Sequence, residues 1–237
     1  MSASVPSRQR ILNRIRGATP PPAPSPVQLA ETHAALPRPY ARAGKLNPEE
    51  RMALMMERLR EYGAEVAACT PKELPAAITA QIAASGRRIF VAPPETPAAW
   101  CVQPAREIEG FECTLDQWDS GHGLKTREIE QAEGVMTAAF CAIADSGTIV
   151  LHHSGTEGRR VLTLLPDWHL CILKASQVVE TLPEYFALCK QPPKLVTWIS
   201  GPSATADIEM TRIQGVHGPR FLHVILVDDR DREPASN

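Results

Sequence analysis

The fold class follows from residues 65–92, which read EVAACTPKELPAAITAQIAASGRRIFVA. An apolar run at Glu65–Cys69 predicts a β-strand, residues 72–84 predict a helix, and residues 88–92 predict a second strand. Strands that alternate with helices are typical of βαβ units, in which the strands pair in parallel. The sequence therefore predicts an α/β fold with an open, mostly parallel sheet flanked by helices.

The C-terminal half contains further strand-like runs, which are short, rich in apolar or β-branched residues and separated by Gly, Pro or a helix. These runs are residues 135–144, 148–152, 169–173, 195–199 and Phe221–Val227, with a helix predicted at residues 183–189. Residues 93–123 contain turn-forming residues and two tryptophans without a clear period, so we predict irregular structure there.

The N-terminal region is predicted to be an arm. A short helix with Ile11, Leu12 and Ile15 on one face precedes residues 19–39, in which seven prolines leave few backbone donors for helix or sheet. We expect an extended linker there. The arginine-rich, acid-free start also resembles an organellar targeting peptide, but a docking arm is the preferred interpretation.

The folded body is predicted to start at Asn47, a suitable helix N-cap followed by Pro48, and this first helix is predicted to end at Gly63. The predicted parts are an N-terminal helix and proline-rich linker (residues 1–46), an α/β domain (residues 47–228) and a charged tail (residues 229–237).

Composition argues against two classes of partner. The net charge is −2 and no long basic run occurs, so nucleic acid is not expected to bind. No apolar stretch approaches the ~20 residues that span a bilayer, and the N-terminus lacks the apolar core of a secretory signal. We therefore expect a cytoplasmic protein without a membrane span.

Potential metal ligands are poorly placed. The six cysteines are far apart and include no C-x-x-C pair, which argues against an iron–sulfur or zinc site and favours free thiols. His152 and His153 are neighbours on a predicted strand, where successive side chains face opposite ways, and no carboxylate or thiolate is spaced to join them. No metal site is predicted.

Three segments carry residues suited to chemistry, and the first is residues 142–151, AIADSGTIVL. Asp145, Ser146 and Gly147 separate two strand-like runs there, and Gly147 can adopt positive φ and bring backbone amides close to a ligand. The hydroxyls of Ser146 and Thr148 would flank that approach. Because turns also prefer these residue types, a plain hairpin turn is the alternative, and the spacing alone favours it.

The second segment is residues 199–209, ISGPSATADIE, directly after an apolar strand. Ligands of open α/β sheets bind beyond the carboxyl ends of strands, so this hydroxyl-rich loop can hold a phosphate, carboxylate or acyl group on free amides. Asp207 and Glu209 would add acid–base capacity. Alternatively, Ser203 or Thr205 caps a short helix whose dipole the two acids complement.

The third segment is residues 215–220, GVHGPR. His217 can act as a proton shuttle near neutral pH, although a hydrogen-bonded turn histidine is the commoner arrangement. Arg159 and Arg160, which follow the first segment, can clamp an anion or form an exposed charge cluster with Glu157.

Together the three segments resemble the lactate utilization protein C family, also called the LUD domain. The resemblance rests on ADSGTIVL, ISGPSATADIE and GVHGP in this order and spacing, and it covers about residues 47–228. It implies a fold like that of the phosphosugar isomerases and coenzyme A transferases. It also implies a role with two iron–sulfur partner proteins in oxidising L-lactate to pyruvate, with the clusters on the partners and no cofactor on this chain.

The predicted site is one pocket for a small carboxylate or a phosphate-bearing ligand, lined by residues 145–148 of the first segment and residues 200–209 of the second. The predicted catalytic residues are Glu209, Asp207, Asp145 and His217, and the predicted ligand-binding residues are Ser146, Gly147, Thr148, Arg159, Arg160, Ser200, Gly201, Ser203, Thr205 and Gly218. One departure concerns the acid of the first segment. The family commonly has Glu-Thr-Gly-Thr where this chain has Asp-Ser-Gly-Thr, which shortens the acid by one methylene.

Three functions are compatible with these features. The first is a cluster-free subunit of a lactate-oxidising complex. The second is a stand-alone enzyme of acid–base, acyl or phosphosugar-type chemistry, with Glu209 as base or nucleophile and His217 as shuttle. The third is a non-catalytic scaffold whose loops are caps and turns and whose arm docks other subunits. Whether the chain is itself an enzyme is left open by the sequence.

Overall fold

The computed structural model describes residues 7–18, 25–37, 39, 41–205, 213–214 and 218–230. The chain divides into two units, Met1–Tyr40 and Ala41–Asn237. The first unit contains helices α1 (Ser7–Ala18) and α2 (Pro26–Ala35). None of the helices in the described ranges is long and apolar enough to cross a bilayer.

The second unit alternates strands and helices. Its elements in chain order are α3 (Pro48–Glu61), β1 (Glu65–Cys69), α4 (Leu74–Ser85), β2 (Ile89–Ala92), α5 (Ala99–Glu107), β3 (Glu112–Leu115), α6 (Thr126–Glu130), β4 (Gly134–Ala138), β5 (Cys141–Ile143), β6 (Thr148–Leu151), β7 (Trp168–Lys174), β8 (Val178–Val179), α7 (Leu182–Leu188), β9 (Thr197–Ile199), β10 (Ala204–Thr205), β11 (Ile213–Gln214) and β12 (Phe221–Val227). Short 3-10 turns occur at Trp118–Ser120, Arg160–Thr163 and Ala175–Gln177.

Six strands form an open parallel sheet in the order β1-β12-β7-β4-β2-β3. The central strands β7 and β12 are buried along almost their whole length. Strands covered on both faces read as continuous apolar runs, which is why the sequence marks these two clearly. The prediction of an α/β fold with an open parallel sheet and flanking helices is confirmed.

A second sheet of four strands, in the order β8-β5-β6-β9, lies against one face of the first. Strands β5 and β6 form an antiparallel hairpin, and β9 pairs antiparallel with β6. The single run predicted at residues 135–144 is therefore wrong, because the chain leaves the six-stranded sheet after β4 and enters the four-stranded sheet at β5. Where the chain changes sheets, the side-chain amide of Gln177 donates to the carbonyl oxygens of Ala139, at 2.8 Å, and Phe140, at 3.3 Å.

The core is layered around the two sheets. Helix α3 and the four-stranded sheet share one buried cluster with β7 and β12, through residues such as Leu59, Ile149, Leu173 and Val224. The opposite face of the six-stranded sheet packs against α4 and α5. Helix α7 covers the outer face of the four-stranded sheet. The four-stranded sheet is thus enclosed on both faces, which fixes the loops that leave it.

Two predictions about local structure are wrong. Residues 19–39 do not form an extended linker throughout, because the side chain of Ser25 accepts from the backbone N–H of Gln28 and the side chain of Gln28 accepts from Ser25, a capping box that starts α2. Residues 93–123 are not irregular throughout, because α5 buries Trp100 against the sheet and β3 pairs with β2.

The hairpin between β5 and β6 rests on helix α3. Gly147, at its tip, has φ of 58°, and a Cβ added there would lie 2.6 Å from the Cβ of Arg58 and 3.2 Å from its carbonyl carbon. These atoms belong to or adjoin the helix backbone and cannot swing away. Gly63, which follows α3, also has positive φ, but a Cβ there would meet no atom within 4 Å.

We predict that Gly147→Ala destabilises the domain more than Gly63→Ala does. Both substitutions strain a left-handed backbone, at a cost of about 1 kcal/mol. Only the first also forces a methyl group into α3, which adds about 1–3 kcal/mol. Urea denaturation of the two variants measures the difference, and equal losses of unfolding free energy would show that the hairpin does not rest on the helix.

Candidate functional site

A cavity of about 310 Å³ lies where the loop after β9 faces the six-stranded sheet. Its wall is formed by Arg160 and Thr163 of a 3-10 turn, His169 of β7, Leu222 of β12, residues 197–204 and the pair Gly218 and Pro219. This volume lies at the lower end of the range for small-molecule pockets, about 300–1,000 Å³.

The cavity is at the amino ends of the parallel strands, since His169 and Leu222 are the second residues of β7 and β12. The expectation that the loop after β9 lies at the carboxyl edge of an open sheet is therefore wrong. Strand β9 belongs to the four-stranded sheet, where it pairs antiparallel with β6. Its carboxyl end therefore faces the amino ends of β7 and β12, and not their carboxyl ends.

The first and second predicted segments meet through a chain of hydroxyl groups. The Oγ1 of Thr148 is 2.7 Å from the Oγ of Ser146 and 2.8 Å from the Oγ of Ser200. Thr148 is buried, whereas Ser146 and Ser200 are exposed. Ser200 lines the cavity, so the hairpin supports the cavity wall through Thr148 without lining it.

The second and third segments are also joined. The backbone N–H of Ser203 donates to the carbonyl oxygen of Pro219 at 2.9 Å, and Gly218 lies beside Ser203. Gly201 has φ of 83° and packs against Tyr62 at the end of α3, where a Cβ would come within 2.5 Å of the Tyr62 Cβ. Ser200, Gly201, Ser203 and Gly218 therefore line one cavity.

The neighbouring residues Arg159 and Arg160 have different environments. The guanidinium of Arg159 donates to both carboxylate oxygens of the buried Asp116, at 2.7 and 2.8 Å, and to the carbonyl of Leu124. Arg160 lines the cavity, its side chain is exposed, and within the described ranges no carboxylate pairs with it. Of the two predicted anion-binding arginines, Arg160 is the one that faces the cavity.

The turn that carries Arg160 is fixed by packing. Leu162 is buried in a cluster with Ile129 of α6 and Val135 of β4, and the hydroxyl of Thr163 donates to the carbonyl of Arg160 at 3.1 Å. The cavity thus holds a positive charge on a rigid support. No aspartate or glutamate is among the described residues of its wall.

The remaining predicted residues are placed as follows. Asp145 is exposed at the hairpin tip, where its backbone N–H donates to the carbonyl of Glu180, and it does not line the cavity. The backbone of Thr205 pairs with Ile213 in the β10–β11 ribbon. Asp207, Glu209 and His217 lie outside the described residues, so their catalytic roles stay predictions.

His169 is a cavity residue that the sequence reasoning missed. Its Nε2 is 2.8 Å from the Oγ1 of Thr137, and both residues are buried. Burial lowers the pKa of His169 to about 4, because the apolar surroundings disfavour the charged ring. The only available signal was a histidine within an otherwise apolar strand.

The side chains of His152 and His153 do not converge. His152 stacks on Phe140 and its Nε2 is 3.0 Å from the hydroxyl of Tyr185, whereas His153 contacts Thr197. In the part of the chain that the structure describes, no group of three or more His, Cys, Asp or Glu residues is arranged to hold a metal ion. The six cysteines are free thiols, although the sulfur atoms of Cys101 and Cys113 lie 3.0 Å apart.

The family model of the LUD domain matches residues 52–227, which include every strand of the six-stranded and four-stranded sheets. The chain belongs to the LUD domain family. The resemblance carried by the three segments is thereby confirmed, and the matched range contains the whole cavity wall.

Relatives of this LUD domain protein include lactate utilization protein C of Deinococcus radiodurans, 37% identical over 196 residues, which cover 81% of this chain and 86% of that protein. Lactate utilization protein C of Bacillus subtilis is 36% identical over 122 residues, which cover 48% of this chain and 50% of that protein. The crystal structure of a DUF162 family protein from Deinococcus radiodurans matches with a TM-score of 0.61 at 30% identity, covering 77% of this chain and 99% of that one.

We predict that His169 makes the unfolding free energy depend on pH. The folded chain resists protonation of this ring until about pH 4, whereas the unfolded chain takes up the proton near pH 6.5. The unfolding free energy therefore decreases as the pH falls from about 6.5 to 4, because the unfolded chain binds the proton more readily than the folded chain does. In His169→Asn, which keeps a polar partner for Thr137 but does not titrate, the loss over this window should be smaller by up to about 3 kcal/mol.

Urea titrations between pH 4 and pH 8 measure this dependence. His122→Asn is the matched control, because His122 is an exposed histidine that does not line the cavity. The same pH dependence in wild type and His169→Asn would contradict the proposed burial of a neutral ring.

We predict that Asp116→Ala lowers the unfolding free energy by about 3 kcal/mol or more, because it leaves the partly buried Arg159 without its counter-charge. The backbone N–H of Leu124 also loses its acceptor. Asp167→Ala is the matched control, since the half-exposed Asp167 binds the exposed Arg220 in the same two-pronged geometry, with Arg87 at 3.8 Å as a second partner. We expect Asp167→Ala to lower the unfolding free energy much less. Denaturant titration of both variants measures the two losses.

Proposed function

We propose that this chain binds a small carboxylate in the Arg160 cavity and acts in lactate utilization. In detail, the chain would be the cluster-free subunit of a cytoplasmic complex that oxidises L-lactate to pyruvate. Two iron–sulfur proteins would be its partners. The relatives named lactate utilization protein C support the role, and the cavity supports the ligand class.

The observation that carries the proposal is an arginine, Arg160, that lies beside hydroxyl groups and has no carboxylate partner among the described residues. Arg160 offers a planar set of N–H donors that matches the two oxygens of a carboxylate. Ser200 and Ser203 add hydroxyls on the same wall, and Leu222 and Ile199 add apolar surface suited to a methyl group. With no carboxylate on the described part of the wall, the electrostatic field favours an anion.

The chemistry of lactate oxidation explains why partners are needed. Converting the hydroxyl of L-lactate to the ketone of pyruvate releases two electrons and two protons, and the electrons need an acceptor. Iron–sulfur clusters are one-electron carriers held by cysteine thiolates. The described cysteines of this chain form no such set, so in the proposal the clusters of the partner proteins receive the electrons.

The experiment compares Arg160→Gln with Arg106→Gln. Arg106 is an exposed arginine of α5 that does not line the cavity, and it serves as the matched control. We expect Arg160→Gln to weaken binding of L-lactate to the purified chain by about tenfold or more, since a hydrogen bond to a charged group is lost. Isothermal titration calorimetry measures the affinity, and Arg106→Gln should bind as the wild type does.

The same variants test the role in the cell. In a strain that depends on this chain for growth on L-lactate, Arg160→Gln should slow growth and Arg106→Gln should not, at equal protein levels. Normal growth and unchanged lactate affinity of Arg160→Gln would exclude the proposed site. Turnover of L-lactate by the purified chain without partners would instead indicate a stand-alone enzyme.

A further inference from the structure

A histidine and a threonine form a hydrogen-bonded pair at the wall of the cavity. His153 follows β6, and Thr197 starts β9, opposite Leu151 of β6. The Nε2 of His153 is 2.8 Å from the Oγ1 of Thr197. Thr197 lines the cavity and His153 lies behind it.

The second ring nitrogen of His153 fixes where the protons are. Its Nδ1 is 2.9 Å from the backbone carbonyl oxygen of Gly158, and a carbonyl oxygen can only accept a hydrogen bond. The proton of a neutral ring is therefore on Nδ1, which leaves Nε2 as an acceptor. The hydroxyl of Thr197 must then donate its single proton to Nε2, so Oγ1 can only accept hydrogen bonds from any further partner.

The backbone at His153 shows that this arrangement is imposed by its surroundings. Its φ of 57° makes it the only residue other than glycine with positive φ in the described part of the chain. The buried carboxylate of Glu157 holds it there, accepting from the backbone N–H of His153 at 3.1 Å and from the hydroxyl of Ser154 at 2.7 Å. Strained backbone that persists in this way is concentrated at functional sites.

We infer that Thr197 makes the cavity selective for a 2-hydroxy acid over the corresponding 2-oxo acid. With the carboxylate on Arg160, the 2-hydroxyl of the ligand donates to the Oγ1 of Thr197. A 2-oxo acid presents only an acceptor at this position, so two oxygen atoms without a shared proton would face each other. The inference rests on the proposed function, because it needs the carboxylate to bind in this cavity.

The size of the effect follows from one hydrogen bond. A site built to accept a proton from a ligand hydroxyl rejects the analogue without that proton, because a polar group is left unpaired. We expect the wild-type chain to bind L-lactate about tenfold more tightly than pyruvate. His153 acts as a positioning residue here, because it determines the direction of the Thr197 hydroxyl and does not itself line the cavity.

The test measures the affinities of the purified full chain for L-lactate, pyruvate and propionate by calorimetry at about pH 8, where imidazole side chains are ordinarily neutral. Thr197→Val keeps the shape but removes the hydroxyl, and the affinities for L-lactate and pyruvate should become equal within about twofold. Thr197→Ser should retain the preference. Propionate has no oxygen at its second carbon, so its affinity should be the same in wild type and Thr197→Val.

A second variant keeps the Thr197 hydroxyl and changes only the direction in which it donates. Asparagine tolerates positive φ, so His153→Asn keeps the backbone while it removes the imidazole acceptor. The hydroxyl of Thr197 is then free to donate to a ligand, and pyruvate should gain affinity relative to L-lactate. Thermal unfolding of each variant shows whether the fold is retained.

The outcomes distinguish the inference from the function on which it rests. A tenfold preference for L-lactate that survives in Thr197→Val would overturn the inference, while loss of both acids in Arg160→Gln would still support the proposed site. Equal binding of L-lactate and pyruvate by the wild type would also overturn it. If the wild type binds none of the three acids, both the proposed function and the inference fail.

Discussion

The cavity exists because the chain changes sheets at Ala139 and Phe140. Strand β4 ends in the six-stranded sheet, and β5 starts in the four-stranded sheet after only two intervening residues. The carbonyl groups at this point lose their ladder partners, and the amide of Gln177 satisfies both. Buried carbonyl groups need such a partner. The side chain of Gln177 therefore allows one apolar run of the sequence to be divided between two sheets, as β4 and β5.

The second sheet in turn determines which groups can reach a ligand. Its inner face shares a buried cluster with β7 and β12, so β6 and β9 cannot shift relative to the six-stranded sheet without exposing apolar surface. The hydroxyl of Thr148 is buried at the start of β6 and is satisfied by Ser146 and Ser200. The loop after β9 is thereby held against the amino ends of β7 and β12, where Arg160 is also fixed.

Local signals in the sequence predict much of this fold. The cap at Asn47, the apolar runs of β7 and β12 and the glycines of the loops are read from a few neighbouring residues. The change of sheet at Ala139 is not, because β4 and β5 are both buried and form one apolar run. Helix α5 was missed for a related reason, since its stability depends on burying Trp100 against distant strands.

The residues of the site also divide into those that local sequence signals predict and those that only long-range pairing brings together. Four of the cavity residues can be predicted as site residues because small, hydroxyl-bearing and cationic residues cluster in loops; these are Ser200, Ser203, Arg160 and Gly218. Thr197 and His153 are 44 residues apart, and each is an ordinary residue of its own segment. Only the pairing of β6 with β9 brings them together, so no local pattern could have identified them.

Electrostatics explains why the amino-end cavity, and not the opposite edge, suits a carboxylate. A larger hollow of about 600 Å³ lies at the carboxyl ends of β1 and β12, where open α/β sheets ordinarily bind ligands. Its described wall carries three acids, Glu73, Asp228 and Asp229, against two bases, Lys72 and Arg230, and the guanidinium of Arg230 already pairs with Asp228. Like charges would repel an anion there, whereas Arg160 has no carboxylate partner among the described residues. In the proposed function, the placement of charge therefore favours the cavity at the amino ends, and the topology of the sheet alone does not determine that placement.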